Sequence, residues 1–292
     1  MTRRLADVTA RIEGIGQLGA VVNAMRGIAS ARAQAARGAL VAVQSYAATV
    51  GEAISRALAD TPPPPPSPRR RSARLALVVF VAEQGFAGAF SERVLEAANS
   101  ELANSLVFLI GARGAALAAE RRIVAHWQTV MPAQPQGVAR LADRLLTAIE
   151  APIAAGEIDR VVVVFSAWRP SEGVHVARRR LFPFDLDTLT PSTRMAAPLM
   201  NLPPDALLRD LAFDFLHAQL CDVALNAFAA ENEARVETMA AARREIDRQL
   251  DELRARQRLV RQDEITAEII ELAAGETASR AREQRGAASD GH

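Results

Sequence analysis

The 292 residues, half of them hydrophobic, suffice for one or two domains with a real core. The net charge of +1 calls for neither nucleic acid nor a charged membrane surface, and the single cysteine, Cys221, excludes an internal disulfide. All 35 basic residues are arginine, which excludes a P-loop lysine, a Schiff-base lysine and a lysine general base.

Thr2 to about Asp60 reads as a long helix. Leu5, Val8, Ile12, Ile15, Leu18, Val22, Met25 and Ala29 recur at spacings of three and four, a one-sided apolar stripe. Gly14, Gly16, Gly19 and Gly27 weaken such a helix by up to about 1 kcal/mol each, so close packing against another helix is expected. Met1 to Asp7 leads into an amphipathic segment, not a signal peptide. No apolar run of 18 residues occurs, so no membrane span is expected, only a cytosolic or peripherally bound protein. Pro62 to Pro66 form a stiff polyproline spacer, followed by Arg69, Arg70 and Arg71. A solvated linker over 61–72 is the expectation.

Residues 73–190 alternate strands and helices. Leu75–Ala82, Leu106–Ile110 and Val161–Ser166 read as buried strands, Ile123–Val130 as another, and Val174–Phe184 as extended. Ser91–Ala103, Ala112–Arg121 and Leu141–Ala155 read as helices, with Ser91 the candidate N-cap of the first. This predicts a Rossmann-like α/β domain with a parallel or mixed sheet. A connector over 191–204 leads back to helix.

From Pro204 to Arg282 there is no further proline, and no glycine before Gly275. A single helix over 205–282 would span about 110 Å, far beyond an ordinary globular helix, followed by a tail over 283–292. Val236, Met239, Ile246, Leu250, Leu253 and Val260 form a heptad-like seam with Arg243 and Gln257 at skipped positions. The phase slips near Ile265 and resumes at Ile269 and Leu272. The fold class is therefore α plus α/β: a long antiparallel coiled coil of the terminal helices with an inserted α/β domain.

Catalytic chemistry is sparse. Gly85 and Gly88 stand in a strand-to-helix turn that can hold a phosphate on its N–H groups, but the third glycine of a dinucleotide fingerprint is missing, and a structural turn is expected. His126, His175, His217 and His292 lack metal-ligand spacing. Glu83 has no evident acid–base partner, and Cys221 reads as a small apolar residue of the long helix. Glu231, Glu233 and Glu237 around Arg235 read as a solvated ion-pair face. No catalytic residue, metal or cofactor is assigned. Two other classes stay open on these residues alone: an enzyme that binds nucleotide at the Gly85 turn, and a free-standing scaffold coiled coil with a degenerate α/β head.

Three segments together resemble the gamma subunit of the rotary F-type ATP synthase. Ile12–Arg32, with Gln17, Ala24-Met25 and Ala29-Ser30-Ala31, is similar to the N-terminal helix of that family, whose lysines are here Asn23 and Arg32. Ala82–Ser91 resembles its Ser-Asp-x-Gly-Leu-Cys-Gly-x-x-Asn turn, with both glycines kept and Glu83, Ala87 and Ser91 in place of Asp, Cys and Asn. Glu231, Arg235 and Met239 match its Ser-Glu-x-x-Ala-Arg-Met-x-Ala-Met block. Arg261–Gly275 resembles its Arg-Gln-Ala-Ala-Ile-Thr-x-Glu-Leu-x-Glu-Ile-Val-x-Gly signature.

The resemblance implies a non-catalytic central shaft that couples ion-driven rotation of a membrane ring to conformational change in the catalytic subunits. Its implied partners are the alpha and beta subunits, the epsilon subunit and the membrane c-ring. Its implied place is peripheral, on the cytoplasmic side of a bacterial inner membrane, in either a main or a second, atypical ATPase. Met25, Arg26, Arg261, Gln262, Thr266 and Glu268 are the implied coupling contacts, and Gly85 and Gly88 the structural turn.

Overall fold

Leucine-, alanine- and arginine-rich stretches without internal proline form the two terminal helices of the computed structural model. The structure describes residues 2–59, 74–184 and 202–289. The Pro62–Pro66 spacer, Arg69–Arg71 and the stretch Ser192–Pro198 lie outside the described residues. Helix α1 is Thr2–Ala59 and helix α5 is Pro204–Ser289, so the C-terminal helix continues past Arg282. Between them lie β1 (Arg74–Phe80), α2 (Phe90–Leu102), β2 (Ser105–Ile110), α3 (Ala112–Glu120), β3 (Trp127–Thr129), α4 (Val138–Ala154), β4 (Ile158–Arg169) and β5 (Gly173–Phe182). The chain divides into two units: Met1–Met25 with Met239–His292, and Arg26–Thr238.

The larger unit carries a five-stranded sheet in the order β3-β2-β1-β4-β5. Strands β3, β2, β1 and β4 are parallel, and β5 runs antiparallel to β4. Side-chain alternation splits the core in two. Ala76, Val78, Phe80, Phe108, Ile110, Val161 and Val163 meet Leu141, Leu145 and Ile149 of α4, Leu220 and Phe228 of α5 and Ala36 of α1. Leu77, Val79, Val107, Leu109, Val162 and Val164 meet Val94, Leu95 and Ala98 of α2 and Ala118 of α3. Burial on both faces is why the strands read as unbroken apolar runs. Gln44 of α1 bonds Asp222 of α5 (3.0 Å) and Arg37 pairs with Glu233, so the two helices run antiparallel here.

Three local expectations are corrected. Strand β4 is twice the expected Val161–Ser166 because its hairpin with β5 carries the pairing out to Arg169 and Gly173. Of Ile123–Val130 only Trp127–Thr129 is strand; Ile123 instead closes the end of α3, donating its N–H to Ala118 (3.0 Å) after Arg122 at φ 60°. Ser91 is not an N-cap. Helix α2 begins at Phe90, and the Ser91 hydroxyl accepts the Ala82 N–H at 3.0 Å.

In the smaller unit, Ile12, Ile15, Val22 and Met25 of α1 pack with Met239, Ala242, Ile246 and Leu250 of α5. Gly19 faces Ile246, and the Gln257 amide donates to the Thr9 hydroxyl (2.9 Å), again an antiparallel pair. The expected close packing at four glycines holds at one. A Cβ on Gly19 would lie 3.3 Å from Ile246, whereas Gly14, Gly16 and Gly27 face open space. Alanine at each of those three positions is expected to raise stability by up to about 1 kcal/mol, through lower backbone entropy in the unfolded chain. A rise in the denaturant midpoint of the triple variant checks this, and a fall would restore the close-packing reading.

The seam does not resume past the phase slip. Leu259, Ile265, Ile269, Ile270 and Leu272 are exposed, between 50% and 75%.

Candidate functional site

The turn between β1 and α2 is built onto α5 by charge. Glu231 and Arg235 lie one helical turn apart and pair at 2.6 Å, with both side chains 6% exposed. The Glu231 carboxylate also accepts the backbone N–H groups of Glu83 (2.9 Å) and Gln84 (3.1 Å). Arg235 donates its Nε–H to the Gly85 carbonyl (3.1 Å) and another N–H to Asn232 (3.0 Å), whose amide bonds the Phe228 carbonyl (2.8 Å). The expected solvated face over 231–237 is therefore wrong for Glu231 and Arg235, which are buried where the turn covers them. Alanines surround them: Ala227, Ala229, Ala230 and Ala234 are all buried and leave room for the turn's backbone.

Glu83 has partners too, though none for proton transfer. Its carboxylate accepts the N–H groups of Ala112 (2.9 Å) and Met131 (2.8 Å), joining the turn to the ends of β2 and β3. Arg32 of α1 reaches Gln84 (3.4 Å), and Arg37 stacks over Trp168 at 4.7 Å while pairing with Glu233. Of the two turn glycines, Gly88 is required by its φ of 58°. Gly85 is not at positive φ and has open space around it; Phe86 carries the turn's other positive φ, 62°. A cavity of about 200 Å³ adjoins the turn, lined by Gly85, Gly88, Arg113 and Glu120 among others.

Cys221 touches His217 at 3.9 Å, and His217 contacts Asp143 at 3.0 Å, an arrangement that resembles an activated thiol. It is not one. Burial, then the charges of Asp143 and Asp222, push the thiol from its ordinary 9.0 up to about 11, which removes the nucleophilic thiolate at neutral pH. Cys221 of the folded chain is expected to resist alkylation at pH 8 and to react on unfolding. Because the folded pKa lies above the unfolded one, this group's contribution to stability is intact below pH 9 and is lost as pH rises toward 11. Mass-spectrometric labelling and pH-dependent melts check both statements; rapid labelling of the folded chain would contradict them.

The expected coupling residues lie elsewhere. Arg261, Gln262, Thr266 and Glu268 are exposed on α5 and interleave with the exposed apolar side chains Ile265 and Ile269. The Thr266 hydroxyl donates to the Gln262 carbonyl (2.9 Å). Met25 is half-buried in the α1–α5 seam, and Arg26 is exposed. The structure groups the four α5 residues on one stretch and places Met25 and Arg26 on α1. No described helix is long and apolar enough to cross a membrane, and no metal-binding group occurs among the described residues.

The family described as ATP synthase matches residues 4–278. The chain belongs to this family. It is 26% identical to the ATP synthase gamma chain of Parafrankia sp., covering 95% of this chain and 98% of that one. It is 23% identical to that of Geotalea daltonii, covering 93% and 97%. Its fold matches a chain of the Euglena gracilis mitochondrial ATP synthase (OSCP/F1/c-ring, rotational state 3) with a TM-score of 0.66 over 97% of both chains at 15% identity. A rotor chain of the same enzyme in rotational state 1 matches at 0.63 and 13% identity, over 91% of this chain and 100% of that one. The protein is thus a gamma-type central-shaft subunit of ATP synthase, non-catalytic in itself.

Proposed function

We propose that the protein turns inside a ring of alpha and beta catalytic subunits, with the epsilon subunit and a membrane c-ring as its other partners. On this reading it sits peripherally on the cytoplasmic side of a bacterial inner membrane. The exposed apolar side chains of α5 beyond Leu259, interleaved with Arg261 and Gln262, carry the reading, because apolar surface of this kind marks a protein interface. A shaft does mechanical work by contacting each catalytic subunit differently and so favouring a different state in each.

Arg261, Gln262, Thr266 and Glu268 make those contacts, with Met25 and Arg26 on the α1 side. Arg261→Ala in the assembled complex is expected to lower coupled ATP synthesis on the order of tenfold, the scale of one interface hot spot. Normal coupled synthesis would remove Arg261 from the interface. Tagged protein purified from native membranes in mild detergent tests the whole reading. Two larger subunits in excess, with ATPase activity, are expected; folded, self-associated protein alone would point to a scaffold.

A further inference from the structure

We infer that Glu231 is a positioning residue for torque, holding the β1–α2 turn to α5 so that load on the sheet reaches the long helix. The inference rests on the shaft reading and deepens it. Apolar packing between the sheet and α5 is non-directional, whereas hydrogen bonds and ion pairs fix one geometry. Among the described residues, the directional links between this turn and α5 are these. Glu231 takes two backbone N–H groups of the turn, and Arg235 donates to the Gly85 carbonyl.

The turn itself cannot yield easily. It is continuous with β1 and α2, and the Glu83 carboxylate ties it to Ala112 after β2 and Met131 after β3. Load on three strand ends therefore converges on one carboxylate and one guanidinium of α5, which are buried and mutually paired. Charge-assisted bonds of this kind are shorter and stronger than neutral ones. Arg179 of β5 adds links to Asp222 (2.6 Å) and Gln219 (3.1 Å) of α5 at the far edge of the sheet. That residue engages α5 through a side chain of β5, not through the backbone of a turn.

The test uses the whole complex in membrane vesicles carrying Glu231→Gln or Glu231→Asp. Gln keeps the size of the side chain but loses the charge and places an amide donor among donors; Asp keeps the charge on a shorter arm. Subunit composition, ATP hydrolysis and ATP-driven ion uptake against an opposing gradient are read for each. Expected are a normal complex and near-normal hydrolysis, with ion uptake per ATP reduced severalfold in Glu231→Gln and partly restored in Glu231→Asp. Unchanged uptake per ATP in Glu231→Gln overturns the inference. So does a parallel fall of hydrolysis and uptake with complex content, or failure of both variants to assemble, since each reports a merely structural role. Absence of this chain from the wild-type ATPase would sink the shaft reading instead, a separate result.

Discussion

Glu231→Ala is expected to destabilise the chain by about 3 kcal/mol, and Arg235→Ala by less, because removing one member of a buried pair leaves the other charge buried. The two losses are unequal on bond count. Without Arg235, Glu231 keeps two backbone N–H donors. Without Glu231, those donors lose their acceptor, and the Arg235 charge keeps only the Gly85 carbonyl and the Asn232 side chain, both uncharged. Denaturant melts of both single variants and the double variant check this. Equal losses that simply add would show that the pair is not coupled.

Gly111→Ala is expected to cost at least about 4 kcal/mol, enough to prevent accumulation of folded protein. Gly111 joins β2 to α3 at φ 122°, a region that side chains rarely enter. An added Cβ would stand 2.2 Å from the Val81 carbonyl oxygen and 2.9 Å from that of Ala82, both backbone atoms that cannot swing away. The same substitution at Gly85, in open space and without positive φ, is expected to change little. Comparable expression and melting of the two alanine variants would contradict the argument.

The strands and helices of the sheet domain were legible because a doubly covered parallel sheet leaves valine- and leucine-rich runs between helical stretches. The pairing of the two long helices was legible from spacing in α1 and α5; their antiparallel sense is what the family resemblance implies. Other features depended on residues distant in sequence. Glu231 and Arg235 look like a solvated ion pair until a turn some 150 residues earlier is laid over them. Their one local signal is the flanking run of alanines, which an exposed helix face does not need. The apolar residues after Leu259 keep a helical period whether their partner is α1 or another subunit, so the end of the seam was invisible to periodicity. Met25, Arg26, Arg261 and Gln262 are proposed as contacts only through the family resemblance, because a contact with another chain leaves no pattern within this one.

Rotation tests the account most directly. A single cysteine placed at Val124, 85% exposed, can be labelled selectively because the native Cys221 is buried and protonated. With the catalytic subunits fixed to a surface and a bead on that cysteine, ATP is expected to drive continuous rotation of the bead in one direction. ATP hydrolysis by complexes that contain the labelled chain, with the bead remaining still, would contradict it.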